Sequence, residues 1–163
     1  MTSPVPSSDP PTLPTGPRQQ RVAVYGICLD PAGHGGGETT RVLLVRAAPY
    51  LTVAGQWFLP GGGLDHGEDP VAGLRREFHE ETGLDITPGP LLGVLSDLFT
   101  LPDADRTSLH SLRIVYAVDH WSGRLRDEVG GSSDAARWVP LDEALDLPLR
   151  PYVRQALTDL RRP

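Results

Sequence analysis

Three glutamates stand three and four residues apart in the segment LRREFHEETGL at 74–84: Glu77, Glu80 and Glu81. In an α-helix this spacing places the carboxylates on one side, where like charges at i, i+3 and i+4 destabilise the helix. A divalent cation would remove that repulsion, and carboxylate oxygens are ligands of Mg²⁺ and Mn²⁺. The spacing therefore predicts a metal-binding face, with Arg76 as a second source of positive charge.

A solvated acidic face is the alternative interpretation, because clustered glutamates are common on exposed helices. The apolar residues of the same helix argue against it. Val71, Leu74 and Phe78 form a narrow stripe at about 100° per residue, and the acids lie beside this stripe rather than opposite it. Gly73 falls on the acidic side, where a missing side chain lets a loop or a ligand approach closely. His79 projects away from the acids, so we expect it at the surface.

The sequence marks both ends of this helix. Asp69 suits the N-terminal cap, Pro70 the first helical position and Gly83 the C-terminal cap, which predicts a helix over 70–82. The preceding segment WFLPGGG at 57–63 predicts a short strand, stopped by a proline and three glycines. A strand and a glycine-rich loop therefore come before the acidic helix.

Apolar and β-branched runs between turn residues predict the remaining strands. They cover 21–30, 41–47, 91–100, 111–121 and 136–141. The first two are expected to pair as a hairpin across the glycine-rich loop 31–40, and 101–110 is expected to be a polar loop. LDEALDL and RPYVRQALTDL predict two C-terminal helices. The apolar stripe of the second consists of Val153, Ala156, Leu157 and Leu160. This pattern indicates a mixed sheet with helices packed on its faces.

Composition indicates one globular domain. The 163 residues suffice for one core but not comfortably for two, and 39% of them are apolar and 22% charged. The net charge of −6 disfavours non-specific binding to nucleic acid or to anionic membranes. No apolar run approaches the roughly 18 residues that a membrane-spanning helix requires. Residues 1–17 carry six prolines, so we predict a disordered Pro-rich tail over 1–19 and a domain over 20–163.

The cysteine content points to the compartment. Cys28 is the single cysteine, which excludes an internal disulfide and a cysteine-rich metal site. The N-terminus lacks the basic segment followed by an apolar one that marks a secretory signal. A reducing, cytoplasmic location is therefore expected.

The segment PGGGLDHGEDPVAGLRREFHEETGL at 60–84 resembles the signature of the Nudix hydrolases, the family of MutT-like pyrophosphohydrolases. That signature is a glycine, five residues, Glu, seven residues, Arg-Glu, an apolar residue, any residue, Glu-Glu, any residue, a glycine and an apolar residue. The matching positions are Gly62, Glu68, Arg76, Glu77, Phe78, Glu80, Glu81, Gly83 and Leu84. Asp65 stands where many members have glutamate, which is a mild variation.

The resemblance implies an α/β fold, specifically an α/β/α sandwich with a mixed β-sheet. It also implies hydrolysis of a pyrophosphate bond in a nucleoside diphosphate linked to another moiety X, with a nucleotide-type small molecule as the partner. In this interpretation Glu77, Glu80 and Glu81 hold Mg²⁺ or Mn²⁺, and Glu68 supports the metal site or its loop. Arg76 is expected to pair bidentately with one of the acids, which would hold that acid in place.

Four residues are candidates for binding the substrate. Gly61 and Gly62 are expected to let the loop backbone approach closely, Arg46 is a candidate for meeting a phosphate, and Trp57 is one of several aromatics suited to stacking. The chain lacks the later proline that resembling ADP-ribose hydrolases often carry. It also lacks the full upstream pattern of coenzyme A pyrophosphatases, which favours a nucleoside triphosphate or a small nucleotide conjugate.

The sequence allows more than one general base, more than one function and more than one oligomeric state. The general base comes either from the signature or from a later loop, where Asp127 and Glu128 are candidates. A non-catalytic nucleotide-sensing Nudix domain is the main functional alternative, although such regulators often carry a degraded signature and this one is intact. A diphosphate isomerase of related fold would use a well-placed cysteine, whereas Cys28 on the first strand is interpreted as a small core residue. Dimers are common among resembling proteins, so a homodimer is one option for the oligomeric state.

Overall fold

The computed structural model describes residues 16–31 and 39–160. Most of the predicted tail, 1–19, lies outside these residues, as does most of the loop 31–40. The first strand begins at Arg18 and so includes the last two residues of the predicted tail. The prediction of a disordered tail therefore stays a prediction.

The described residues form seven strands in one mixed sheet. These are β1 (Arg18–Asp30), β2 (Arg41–Ala47), β3 (Trp57–Phe58), β4 (Gly61–Gly63), β5 (Leu84–Thr100), β6 (Ser108–Gly123) and β7 (Ser133–Pro140). The order through the sheet is β3-β2-β1-β6-β5, with β4 paired to β1 and β7 paired to β2. β1 and β6 run parallel, and the other pairs are antiparallel. The predicted mixed sheet is confirmed.

Two α-helices lie among the described residues, α1 (Pro70–Thr82) and α2 (Pro151–Asp159). The helix predicted in LDEALDL is wrong, because only a three-residue 3₁₀ turn forms there, Ala144–Asp146. Prolines stand at both ends of this segment, so the stretch between them is too short to offset the cost of nucleating an α-helix. Neither α-helix has the length or the apolar run needed to cross a bilayer.

The sheet is covered by one helix on each face, and each helix has its own core. The core under α1 consists of Val24, Cys28, Leu43, Leu74, Phe78, Leu84 and Ile86. The core under α2 includes Tyr25, Ile27, Val42, Leu44, Val153, Ala156 and Leu157. Neighbours in a strand point to opposite faces, so Val24 and Tyr25 of β1 enter different cores. This arrangement is the predicted α/β/α sandwich.

The stripe predicted for α2 is correct at three of its four positions. Val153 and Leu157 are fully buried and Ala156 is nearly so. Leu160 is 37% exposed, because it lies at the C-terminal cap beyond the last helical residue.

Of the predicted strands only 41–47 has its predicted bounds, and two of the others differ most. The single strand predicted over 57–63 is divided into β3 and β4, since the peptide oxygen of Pro60 bonds to Gly26 N–H at 3.0 Å between them. β5 is longer than the predicted 91–100 and starts directly after the helix. Its first half contains register shifts between Thr87 and Gly93, where prolines and glycines conceal the strand pattern.

The hairpin of β1 and β2 is short. Among the residues that the structure describes, the two strands pair at Leu29–Val42 and Asp30–Arg41, and the rest of β1 pairs with β6 and β4. The central strand thus receives a parallel neighbour from the far end of the chain. Side chains of β6 therefore lie directly beside those of β1.

Candidate functional site

The ends of α1 are fixed by the predicted caps. Asp69 Oδ1 accepts hydrogen bonds from the N–H groups of Val71 and Ala72 at 2.9 and 3.1 Å. Gly83 adopts the left-handed conformation at φ 72°, and its N–H donates to the carbonyl of His79. These caps set where the helix starts and stops, and hence which residues face the sheet.

The three glutamates of α1 differ in burial. Glu81 is buried at 5% exposure, Glu77 is half-buried, and the side chain of Glu80 is 50% exposed. The acids therefore extend from the protein interior to its surface along one side of the helix.

The glycines of β4 make room for this side of the helix. Gly61 N–H donates to Glu81 Oε2 at 3.0 Å. A Cβ on Gly61, whose φ is 137°, would lie 2.1 Å from the carbonyl oxygen of Val24. A Cβ on Gly62 would lie 2.6 Å from the carboxyl group of Glu77. Only glycine at these two positions lets β4 lie this close to both β1 and the acids.

Arg76 connects the remaining acids, as its guanidinium contacts three carboxylates. It pairs bidentately with Glu68 at 2.8 Å for both nitrogens, as the sequence predicted for one of the acids. Its Nη1 donates to Glu77 at 2.8 Å and to Glu80 at 3.2 Å. We call Glu68, Arg76, Glu77, Glu80 and Glu81 the acidic cluster.

Burial and charge shift the pKa values of this cluster in opposite directions. Burial raises the pKa of Glu81 to about 8, and the negative charges of Glu77 and Glu128 add to the effect. Burial also raises the pKa of Glu77, against the opposing effect of Arg76. The hydrogen bonds from Arg76 lower the pKa of Glu68 to about 2. Without a metal, the buried carboxyls of Glu77 and Glu81 are therefore shifted towards their uncharged form, whereas Glu68 is favoured in its ionised form.

The acidic cluster borders a cavity of about 430 Å³. It is lined by the carboxylates of Glu77 and Glu81 and by the glycines 61–63. Four arginines and four aromatic residues also line it: Arg21, Arg46, Arg113, Arg150, Tyr25, Phe58, Phe99 and Tyr152. A cavity lined by both carboxylates and guanidinium groups suits a polyanionic molecule that binds together with a cation.

The two predicted substrate-binding residues outside the glycines are placed differently. Arg46 lines the cavity and pairs bidentately with Asp134 at 2.8 and 3.1 Å. Trp57 packs against the core under α2 and lies 5.8 Å from the Arg46 guanidinium, measured to its ring centroid. Among the residues that line this cavity Trp57 is not found, so its contact with the site passes through Arg46.

The two candidate bases have different surroundings. Asp127 is held by Arg137 at 2.5 Å and accepts the N–H of Ala136. Glu128 accepts two hydrogen bonds from Ser133, at 2.9 and 3.0 Å, and its charge acts on Glu81. Of the two, Glu128 is the one that interacts electrostatically with the acidic cluster.

The sequence analysis did not identify three of the arginines and one of the tyrosines that line the cavity. Arg21, Arg113, Arg150 and Tyr152 come from β1, β6 and the start of α2. One signal was present in SLRIVYAVDHW, where Arg113 occupies an inward-facing position of an otherwise apolar alternation. A buried charge in such a position indicates a functional or paired residue.

The carboxylates do not form a ready-made cage. Within residues 16–31 and 39–160, no three Asp, Glu, His or Cys side chains converge closely enough to hold a metal. The guanidinium of Arg76 stands among Glu68, Glu77 and Glu80. The donor set nevertheless fits a hard divalent cation, because Glu77 and Glu81 present half-buried and buried carboxylate oxygens to one cavity.

Comparison with known proteins gives matches over most of the chain. The family model described as NUDIX domain matches residues 19–160. The putative 8-oxo-dGTP diphosphatase 3 of Mycobacterium tuberculosis (strain ATCC 25618 / H37Rv) is 34% identical over 114 residues, which are 69% of this chain and 50% of that protein. The chain spans about half the length of the curated relatives it matches, with shares of 59%, 50% and 50%.

Solved structures share the fold. The MutT NUDIX hydrolase from Burkholderia pseudomallei has a TM-score of 0.67 and 28% identity, covering 86% of this chain and 97% of that one. The NUDIX domain of Shewanella oneidensis NrtR, complexed with ADP ribose, has a TM-score of 0.67 and 21% identity, covering 88% and 87%. The second likeness concerns the fold alone.

Proposed function

We propose that this protein, which belongs to the NUDIX family, hydrolyses a pyrophosphate bond in a nucleoside diphosphate linked to another moiety. The observation that carries the proposal is that Glu77 and Glu81 line the same cavity as four arginines. Pyrophosphate is a poor electrophile because its anionic oxygens repel a nucleophile. A site for its hydrolysis therefore needs positive charge near those oxygens.

We assign the metal-binding role to Glu77, Glu80 and Glu81, with Mg²⁺ or Mn²⁺ as the cation. When bound, the cation neutralises phosphate charge and activates water. The protein contributes the carboxylates and their positions. Glu81 is held by Gly61 N–H at 3.0 Å, and the raised pKa of its buried carboxyl reflects a site that favours neutralisation of its charge.

Arg76 and Glu68 act as positioning residues in this proposal. The two nitrogens of Arg76 that hold Glu68 fix the guanidinium plane, so that Nη1 reaches Glu77 and Glu80. Arginine suits this role because its donors form a rigid fork. Glu68 in turn accepts the N–H of Asp65 at 3.0 Å and thereby ties the loop before α1 to the cluster.

The substrate we propose is a nucleoside triphosphate or a small nucleotide conjugate. One of the proteins compared is named a putative 8-oxo-dGTP diphosphatase, and 8-oxo-dGTP is a nucleoside triphosphate. Phe58 and Phe99 in the cavity wall offer apolar surface for the nucleoside part.

We also propose that the protein is cytoplasmic and forms a homodimer. β5 is an edge strand of the sheet, and it exposes Leu91, Leu92, Val94 and Leu98 at 43% or more. An exposed apolar edge strand of this kind is suited to pairing with another chain. Light scattering after gel filtration measures the mass in solution and tests this point.

A panel of nucleotides incubated with the protein and Mg²⁺ tests the activity. Separation of the products by ion-exchange chromatography shows whether cleavage occurs and which product keeps each phosphate. Cleavage that stops on removal of the metal supports the proposal. Tight nucleotide binding without turnover would favour a non-catalytic nucleotide-sensing domain instead.

A further inference from the structure

The cavity contains buried polar atoms that have no hydrogen-bond partner. Ser111 and Arg113 of β6 and Tyr152 of α2 are 1%, 5% and 3% exposed, respectively. The Oγ of Ser111, the Nε of Arg113 and the hydroxyl of Tyr152 are unpartnered in the part of the chain that the structure describes. Buried polar atoms are nearly always hydrogen-bonded, because leaving them unpaired destabilises the fold. Three such atoms around one cavity require an explanation.

These three side chains form one surface, which we call the cavity floor. Ser111 and Arg113 are two residues apart in β6, so their side chains point to the same face of the sheet. The Arg113 guanidinium lies 4.6 Å from the ring centroid of Tyr152. Its Nη1 donates to Asp97, so one side of the guanidinium is already fixed. Arg113 is thus held by two contacts, while the three polar atoms of the floor lack hydrogen-bond partners among the described residues.

Within the sheet, one strand, β1, separates the strand of the floor from the glycine strand β4 beside the acidic cluster. Arg113 pairs in register with Ala23 of β1, and Ala23 pairs with Gly63 of β4. Two strand spacings separate Arg113 from Gly63, which is roughly 10 Å. The small side chain of Ala23 stands between them. A molecule that contacts both the acidic cluster and the floor therefore spans the width of β1.

The charges of the cavity favour an anion at the floor. Arg21 and Arg150 also line the cavity, and neither forms a salt bridge within residues 16–31 and 39–160. Their hydrogen bonds go to neutral groups, the Tyr25 hydroxyl and Gln56 Oε1, each at 3.4 Å. Phosphate and carboxylate oxygens are the acceptors that guanidinium groups bind best.

We infer that the cavity floor is a subsite for an anionic group, a phosphate or a carboxylate, at the end of the substrate remote from the pyrophosphate. The inference rests on the proposed function for its substrate. One guanidinium N–H and two hydroxyls supply three donors to the oxygens of that group. Binding completes the hydrogen bonds that the free protein lacks.

Titration of the metal-free protein with inorganic phosphate tests the subsite without turnover. The probe is the ¹H–¹⁵N NMR signal of the arginine Nε–H groups, assigned at this position by Arg113→Lys. We expect the Arg113 signal to shift in a saturable manner, and Ser111→Ala to weaken phosphate binding at least about 5-fold. A signal that does not move with phosphate, or equal affinity in Ser111→Ala, overturns the inference. Glu143→Gln, at an exposed position outside the cavity lining, should leave this titration unchanged.

Stability and kinetics provide a second test that a structural role would not satisfy. Ser111→Ala and Tyr152→Phe remove unpartnered hydroxyls, so we expect the Tm to stay the same or rise. For a nucleotide that is cleaved, KM should rise at least about 5-fold with kcat within about 2-fold. The control is Ser96→Ala, which loses the 2.9 Å bond to His110 on β6 and should lower the Tm with KM unchanged.

The two proposals fail in different ways. Hydrolysis with an unchanged KM in both floor variants, and a silent Arg113 signal, leaves the pyrophosphohydrolase intact and removes the subsite. A shifting Arg113 signal in a protein that cleaves no nucleotide keeps the anion site and removes the proposed reaction.

Discussion

The acidic cluster and the cavity floor border the same cavity but are organised in opposite ways. In the cluster, Arg76 satisfies three carboxylates and the Gly61 N–H serves a fourth, Glu81. On the floor, Ser111 Oγ and Arg113 Nε have no partner within the described residues. The difference indicates that the cluster is held in place before any ligand arrives, whereas the floor is completed by the ligand. Functional sites often retain such unsatisfied groups at a cost in stability.

The largest expected effect concerns the cluster's exposed acid. Glu80→Gln removes one proposed metal ligand without removing core packing, because the side chain is 50% exposed. We expect kcat to fall at least about 100-fold, with the unfolding free energy nearly unchanged. Steady-state kinetics and urea unfolding measure the two quantities. Glu143→Gln, at another exposed position, is the matched control, and near wild-type turnover in a well-folded Glu80→Gln would contradict the assignment.

A glycine substitution tests whether the cluster depends on the close approach of β4. Gly61→Ala forces a side chain into a left-handed position and against the Val24 carbonyl, at 2.1 Å. We expect a loss of about 2 kcal/mol or more in unfolding free energy by urea titration. Gly93→Ala is the control, because nothing lies within 4 Å of its Cβ. Equal stability of the two variants would show that the approach does not constrain the site.

The bridging arginine gives a smaller effect. Arg76→Lys keeps the charge but loses the fork that joins Glu68 to Glu77 and Glu80. We expect the affinity for Mn²⁺, measured by calorimetry, to fall about 10-fold. The neighbouring Arg75→Lys, at an exposed position, should bind as the wild type does. Identical affinities for all three proteins would mean that Arg76 does not position the acids.

The smallest effect concerns the loop between β5 and β6, whose neighbours Phe99 and Leu101 line the cavity. The Thr107 N–H, at 2.8 Å, lowers the pKa of Asp103. A lowered pKa in the folded protein contributes stability above the unfolded value near about 3.9, and this is lost as the pH falls through the folded value. Asp103→Asn should therefore lower the Tm by about 1 °C at pH 7, and this difference should shrink as the pH falls below the unfolded value. Asp105→Asn is the control in scanning calorimetry, and a difference that persists at low pH would exclude this origin.

Local patterns were sufficient for α1 and its acids. The caps Asp69 and Gly83 and the pairing of Arg76 with an acid follow from residues close in sequence, and the structure has all of them. The same patterns failed where prolines and glycines interrupt a strand, as in the first half of β5. They also failed for the helix predicted in LDEALDL, which is too short to nucleate between its prolines.

Contacts between distant residues could not be predicted in this way. Nothing local brings β6 parallel to β1 over eleven register pairs from Arg18–Ser108 to Cys28–Val118. This pairing places Arg113 in the cavity, and the packing of α2 places Tyr152 over it. The different burial of Glu77, Glu80 and Glu81 likewise depends on how the helix seats against β4.

The sequence by itself determined the acidic helix, its caps and the spacing of its carboxylates, because helix geometry depends on neighbours within about four residues. Only the tertiary structure decided which carboxylate is buried, which glycine lets it be so, and which basic residues face it. These depend on strand pairing between segments about ninety residues apart, such as Ala23 and Arg113. The energy of that pairing lies in burial shared by the whole sheet rather than in any one segment.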